Sequence, residues 1–488
     1  MRVFLFKHSA YALAYGTLGA AIALIAVYIA SLLAQPNLQA WHRVHFEAEF
    51  RAADAVHVRT LPDYLALEER LFQELREKVY DRSAVHLRYA RFSPGSLSDP
   101  LAQRPNWNRT FELPVRNPAG GALLLHGLSD SPYSLRATAQ HLHRRGYWVV
   151  GLRLPGHGTA PSGLLDAKWE DFAAAVRLGA RHVRERIGDD APLVLVGYSN
   201  GAALAVEYAL ARLQGEQLPR ADGLVLVSPA IGIASAAAFA VWQGRLGGLI
   251  GEEKLGWTDI QPEYDPYKYA SFTINAGDQS YRLTRRIAAQ LDALSGGDAL
   301  RGMPPVLAFQ SVADATVSTP AVVDGLLRRL PPGGHHVVLF DINRHSDAML
   351  FYRDAAVLVR ENLLQGPALP FELTVLTNQA ADRDALSAMH RPALKNAVSE
   401  EPTTLSWPAG VFSLSHVALP FAPDDPVYGE RRPAKLQAVY LGRVDLLGER
   451  GVLAVPPAQL LRLRYNPFFS YVQRRVDLFL APLESRAP

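Results

Sequence analysis

One short stretch limits the fold of this chain more than any other: LVLVGYSNGAALAVEYAL, Leu193 to Leu210. LVLV is apolar at every position, which suits a strand covered on both faces. AALAVEYALARL has helix formers, with apolar residues three and four apart. The link between them is Gly-Tyr-Ser-Asn-Gly and leaves no room for a gradual turn. Gly197 and Gly201 remove side chains where backbone and helix must come close. Ser199 between them is expected at strained dihedrals, with its hydroxyl pushed above the end of the strand. That places a nucleophile on a strand-to-helix corner. A plain Gly-Ser turn is the alternative.

The surrounding sequence repeats the same alternation. GALLLHG, YWVVGLRL and DGLVLVSPA read as strands. YSLRATAQHLHRRG and KWEDFAAAVRLGARHVRERIG read as helices. Strand and helix in turn predict a mostly parallel sheet flanked by helices. The rhythm breaks after Ile231, where small apolar residues, glycines and aromatics mix. It resumes at PPVLAFQSVADATVS and HHVVLFDINR, then the helix DAMLFYRDAAVLVRENLL. The tail is expected to hold the strand FELTVLTN, a short helix, a strand ending in GVFSLSH, and further strand-like segments to about Leu480. The resulting plan is an N-terminal transmembrane anchor (1–40), a helical stalk or linker (41–110) and a first core half (111–231). A cap or lid insertion (232–300) follows, then a second core half with a C-terminal extension (301–488).

The N-terminus supplies the anchor. Arg2 and Lys7 precede Ser9 to Trp41, which carries no Asp, Glu, Lys or Arg. Tyr11 to Ala34 is a nearly continuous apolar run, long enough for the roughly 20 residues that cross a bilayer. A cleaved signal peptide has a shorter apolar core. The basic residues favour an inside N-terminus, hence a catalytic domain facing the periplasm from a bacterial inner membrane. The stripe Tyr64, Leu65, Leu71, Phe72, Leu75 and Val79 predicts a helix linking that anchor to the globule. The net charge is +3 in 488 residues and the arginines are dispersed, so no nucleic acid partner is expected. There is no cysteine, which excludes a thiolate nucleophile and Cys-ligated zinc.

A serine hydroxyl needs a base within hydrogen-bond reach and a carboxylate to orient that base. Asp314 follows the apolar strand VLAF in the tight loop SVADATV and is the favoured acid. Asp265 and Asp278 fall in the cap, and Asp341 ends a different strand. Two histidines compete for the base. His345, in DINRHSD, has the ordinary spacing after Asp314. His416 ends GVFSLSH and opens the Pro-rich loop VALPFAPDDPVYG, but needs an extra unit between acid and base. Spacing alone favours His345. His157, His335 and His336 read as structural. The oxyanion donors are expected to be the N–H of Asn200, after the serine, and of Leu128 in LLLHGLSDSP, with His126 bracing that loop.

LLHGLSDSPYSLR, LRLPGHGTAPSGL, the W-E-D-F segment and GYSNG together resemble the serine α/β-hydrolases of the monoacylglycerol lipase and lysophospholipase type, over roughly Gly120 to Ala230 and again at FQSVADATVSTP. The tail is similar to that of a bacterial, membrane-anchored subgroup. That resemblance implies an α/β-hydrolase fold and makes His416 the more plausible base, with His345 the alternative. It further implies carboxylic ester hydrolysis, on an apolar ester or lipid, without metal or organic cofactor. A serine peptidase or acyltransferase on the same fold is the nearest rival. A noncatalytic membrane-tethered scaffold is the rival from another class.

Overall fold

The computed structural model describes residues 15–24, 26–27, 30, 35–81, 87–232, 253–345, 347–434, 438–443 and 457–485. Its centre is a ten-stranded sheet in the order β1-β3-β2-β4-β5-β8-β9-β10-β11-β12. In chain order the strands are β1 (Phe111–Leu113), β2 (Gly120–Leu125), β3 (Tyr147–Leu152), β4 (Leu193–Tyr198) and β5 (Gly223–Val227), then β8 (Val306–Ser311), β9 (His336–Phe340), β10 (Glu372–Asn378), β11 (Ala385–Arg391) and β12 (Ser399–Ser406). A separate two-stranded pair joins β6 (Trp257–Asp259) to β7 (Phe272–Thr273). From β3 across to β10 every pairing is parallel. β1 closes one edge antiparallel, and β11 and β12 extend the other.

The apolar strands are explained by helices on both faces. Side chains alternate along a strand, and the alternation sorts them into two cores. Leu123, Leu125, Leu195, Leu224, Leu226 and Leu339 point to one. Ala122, Leu124, Val194, Val196, Val225 and Val338 point to the other. The first face is covered by α1 (Leu61–Leu75), α3 (Trp169–Ile187), α4 (Asn200–Leu213) and α5 (Ile274–Leu294). The second is covered by α2 (Arg136–Arg144) and by α7 (Phe469–Glu484), which presents Val472, Val476, Leu480 and Leu483. α6 (Asp354–Gln365) links β9 to β10. Each such buried aliphatic side chain contributes about 1.5–3 kcal/mol, so α7 is structurally part of the core although it comes from the far tail.

Several expectations change here. The segment 41–110 is not a stalk. Phe50, Leu61 and Tyr64 are buried in the main core, and Leu71, Phe72, Leu75 and Val79 in a satellite core beside it. α1 starts at a capping box, in which the Thr60 hydroxyl accepts from Asp63 N–H and the Asp63 carboxylate accepts from Thr60 N–H. Arg153 at the end of β3 is fully buried and pairs with Glu49 at 3.0 Å and Glu68 at 3.1 Å, riveting this segment to the sheet.

Within 232–300, α5 packs along α4 as a core helix rather than a cap. Residues 233–252 of the expected lid lie outside the described residues. In the tail, the expected short helix after β10 is strand β11. GVFSLSH forms no strand, and the last expected strand is α7. Much of the apolar N-terminal run also lies outside the described residues. Residues 15–24 are helical and exposed, and among the described residues no helix is long and apolar enough to cross a membrane, so the expected spanning anchor is not supported.

Candidate active site

The corner after β4 has the strain its sequence predicts. Ser199 sits at φ 53°, ψ −115°, a region that side chains rarely adopt and that costs of the order of 1–3 kcal/mol. Neighbouring contacts hold it there. Its N–H donates to Val227 O on β5 at 2.9 Å, and its carbonyl accepts from Ala202, Ala203 and Ala230. The two glycines are explained by distance. A Cβ at Gly197 meets Ala202 Cα at 2.3 Å, and one at Gly201 meets Leu125 O at 2.1 Å. α4 can therefore leave the strand end at this angle only with glycine at both positions.

Asp314 lies in the loop after β8. Its Oδ1 accepts from Thr316 N–H and Val317 N–H, each at 2.8 Å, which leaves Oδ2 aimed at His416 Nδ1, 2.8 Å away. Burial pushes the Asp314 carboxyl up, but His416 and the two amides outweigh it and hold the pKa below the usual carboxylate value. His416 Nε2 is 3.1 Å from Ser199 Oγ. The imidazole is buried and leans on the Tyr198 ring, 5.3 Å between centroids. It stands at the first position of the single turn His416–Ala418, not at a strand end. The sheet tip also steers it, because Ser311 Oγ donates to Leu414 O at 2.8 Å.

His345 is not at this site. It is largely exposed and pairs with Asp384 at 3.2 Å. Asp341 is fully buried but bound to Arg344 and the Thr377 hydroxyl. Asp265 accepts from the Tyr428 hydroxyl and two backbone amides, and Asp278 pairs with Arg282 on α5.

Asn200 opens α4, and Leu128 begins the turn after β2. Among the described residues, neither N–H has an acceptor in the fold. His126 braces the Leu128 loop. Its Nδ1 donates to Gly127 O at 2.9 Å, and its Nε2 accepts from Leu154 N–H at 3.0 Å. Burial keeps that ring neutral, with its pKa well below the ordinary value.

Two neighbours escaped the sequence reading. Asp130 is buried two residues after Leu128, 3.2 Å from Lys268 Nζ, and burial raises its pKa. Tyr269 N–H donates to Ser129 O at 2.8 Å, so the segment after β6 is stitched onto the loop after β2. The aspartate was visible inside LSDSP. Nothing in PYKYASF signalled its lysine partner.

Residues 116–347 match the family model described as Hydrolase_4, serine aminopeptidase, S33. The chain is 27% identical over 235 residues to a thermostable monoacylglycerol lipase of Bacillus sp. (strain H-257), covering 48% of this chain and 81% of that one. Among solved structures it resembles a monoacylglycerol lipase of Paleococcus ferrophilus, at 19% identity and TM-score 0.36, covering 47% of this chain and 87% of that one. It also resembles a structure from a study of the metagenome-derived lipolytic enzymes LipS and LipT, at 20% identity and TM-score 0.37, covering 48% and 88%. The family match takes in Ser199, Asp314 and His345 but stops short of His416. Sheet order and nucleophile corner are those of an α/β-hydrolase fold.

Proposed function

We propose that Ser199, His416 and Asp314 act as nucleophile, base and orienting acid in the hydrolysis of carboxylic esters of the acylglycerol or lysophospholipid type. The single observation that carries this is the continuous relay of 2.8 Å and 3.1 Å ending on a strained serine. Asp314 fixes the tautomer with hydrogen on Nδ1, so Nε2 is free to accept the Ser199 proton. Ser199 Oγ attacks the acyl carbon, and the Leu128 and Asn200 N–H groups receive the charge on the carbonyl oxygen. Collapse breaks the ester C–O bond, and the alcohol leaves with the proton held by His416. Water then gives a proton to the same Nε2, attacks the acyl-enzyme and frees the acid and Ser199.

The acylglycerol part of this reading rests on similarity to the Bacillus lipase. A peptidase reading has one point in its favour, the description of the matching family model. Turnover of matched p-nitrophenyl esters and aminoacyl p-nitroanilides decides between them, and a fluorophosphonate probe reports the serine directly. Labelling that survives Ser199→Ala overturns the assignment. Placement at the periplasmic face of a bacterial inner membrane is also part of the proposal and rests on the charge-free run after Lys7. Membrane fractionation with alkaline extraction tests it.

A further inference from the structure

Beside the relay lies a cavity of about 300 Å³. Val417, next to His416, forms part of its wall, and Phe421, Phe272 and Tyr428 supply apolar surface. An ester pocket of this kind is ordinarily apolar with a few placed polar groups. This one carries three cations: Lys268, Arg462 and Arg464.

Two of the three are already matched. Arg464 Nη1 is 3.7 Å from Asp265 Oδ2, and its Nη2 donates to the Tyr264 hydroxyl at 3.4 Å. Lys268 is matched by Asp130. Arg462 differs. It is half-buried, and among the described residues it pairs with no carboxylate. Among the described residues it makes one hydrogen bond, at 3.4 Å to the hydroxyl of Thr316, two residues from Asp314. The remaining acid in the wall is Asp259. The Gln261 side-chain amide donates to it, and burial raises its pKa. A guanidinium left unmatched in a partly desolvated pocket is a site for a planar or tetrahedral oxyanion, which it binds through paired N–H donors.

We infer that this cavity is a subsite for an anionic group, a carboxylate or a phosphate, carried by the ester substrate and held by Arg462. The inference rests on the ester-hydrolase reading and narrows it, since it makes the preferred substrate an ester with a charged end rather than a neutral lipid. Arg464 and Lys268 are held by their own partners, which leaves Arg462 to meet the bound group.

The test uses two matched pairs on the full chain: a monoacylglycerol against its phosphate monoester, and p-nitrophenyl esters of a fatty acid and of the corresponding dicarboxylic acid. The first pair puts the anion on the leaving alcohol, the second on the acyl part. In at least one pair kcat/KM favours the anionic member by about tenfold, the scale of one charge-assisted contact. Arg462→Met brings that ratio to about one, mainly through KM, and Arg462→Lys restores part of it. A ratio of one or less in both pairs, or a preference that survives Arg462→Met, overturns the subsite. Calorimetry on Ser199→Ala with glycerol phosphate and a free dicarboxylate reads binding without turnover. Loss of measurable binding in Ser199→Ala/Arg462→Met supports the subsite, and unchanged binding overturns it. Failure of the ester-hydrolase reading appears elsewhere, as absent probe labelling and absent turnover of every ester.

Discussion

The relay joins two regions that differ in how they are built. The Ser199 corner is local. Strand, glycines, serine and helix are consecutive, and its strain is held by hydrogen bonds to β5 and to Ala230 beyond it. The His416 arm is remote. It arrives after α6, β10, β11 and β12, lies in a loop with one short turn, and is placed by single contacts to Asp314, Ser311 and Tyr198. A corner set by sterics tolerates no larger side chain. An arm set by a few contacts can be moved along the chain, provided it still reaches the same point.

The sharpest break of this comparison is chemical. Ser199→Ala is expected to lower kcat for p-nitrophenyl esters by on the order of 10⁴–10⁶-fold and to abolish probe labelling, with the fold intact by circular dichroism. His416→Ala is expected to cost a loss of similar order, whereas His345→Ala changes kcat by less than about twofold. If His345→Ala is instead the inactive variant, the remote arm is misassigned while the corner stands.

The next tests concern folding. Arg153→Met leaves Glu49 and Glu68 buried without their cation, at an expected cost of about 3–5 kcal/mol in urea unfolding. Gly201→Ala drives a methyl into Leu125 O and is expected to cost about 1–3 kcal/mol or more, with kcat falling as α4 is displaced. An unchanged Tm in that variant means the corner has slack that its contacts do not show.

The last test is acid sensitivity. Burial lowers the pKa of His157 and of His335 from 6.5 to about 4, so both are neutral in the fold. The unfolded chain takes up those protons first. Stability is therefore fully present above about pH 6.5 and falls between 6.5 and 4. A Tm that stays flat across that window contradicts the buried neutral rings.

The readable and unreadable parts of the sequence divide along the same line. The corner, the alternating strands and the Asp314 loop were legible because each is decided within a dozen residues. Ser199 needs Gly197 and Gly201, and Asp314 needs the end of its own strand. The base was not decided by local signals. His345 has the customary spacing, but its pairing with Asp384 depends on β11, which the sequence disguised as a helix. The 41–110 segment read as a stalk because the partners of Arg153 are more than 80 positions away, and no periodicity records that.

The tail adds a question of timing. Ribosomes deliver this chain from its amino end, so the nucleophile corner emerges while one face of the sheet still lacks α7 and the imidazole has yet to be made. Until α7 has emerged, Val225 and Leu307 lack its cover. A stop codon ahead of Phe469 removes Val472, Val476, Leu480 and Leu483 from that face and leaves its apolar residues without this cover.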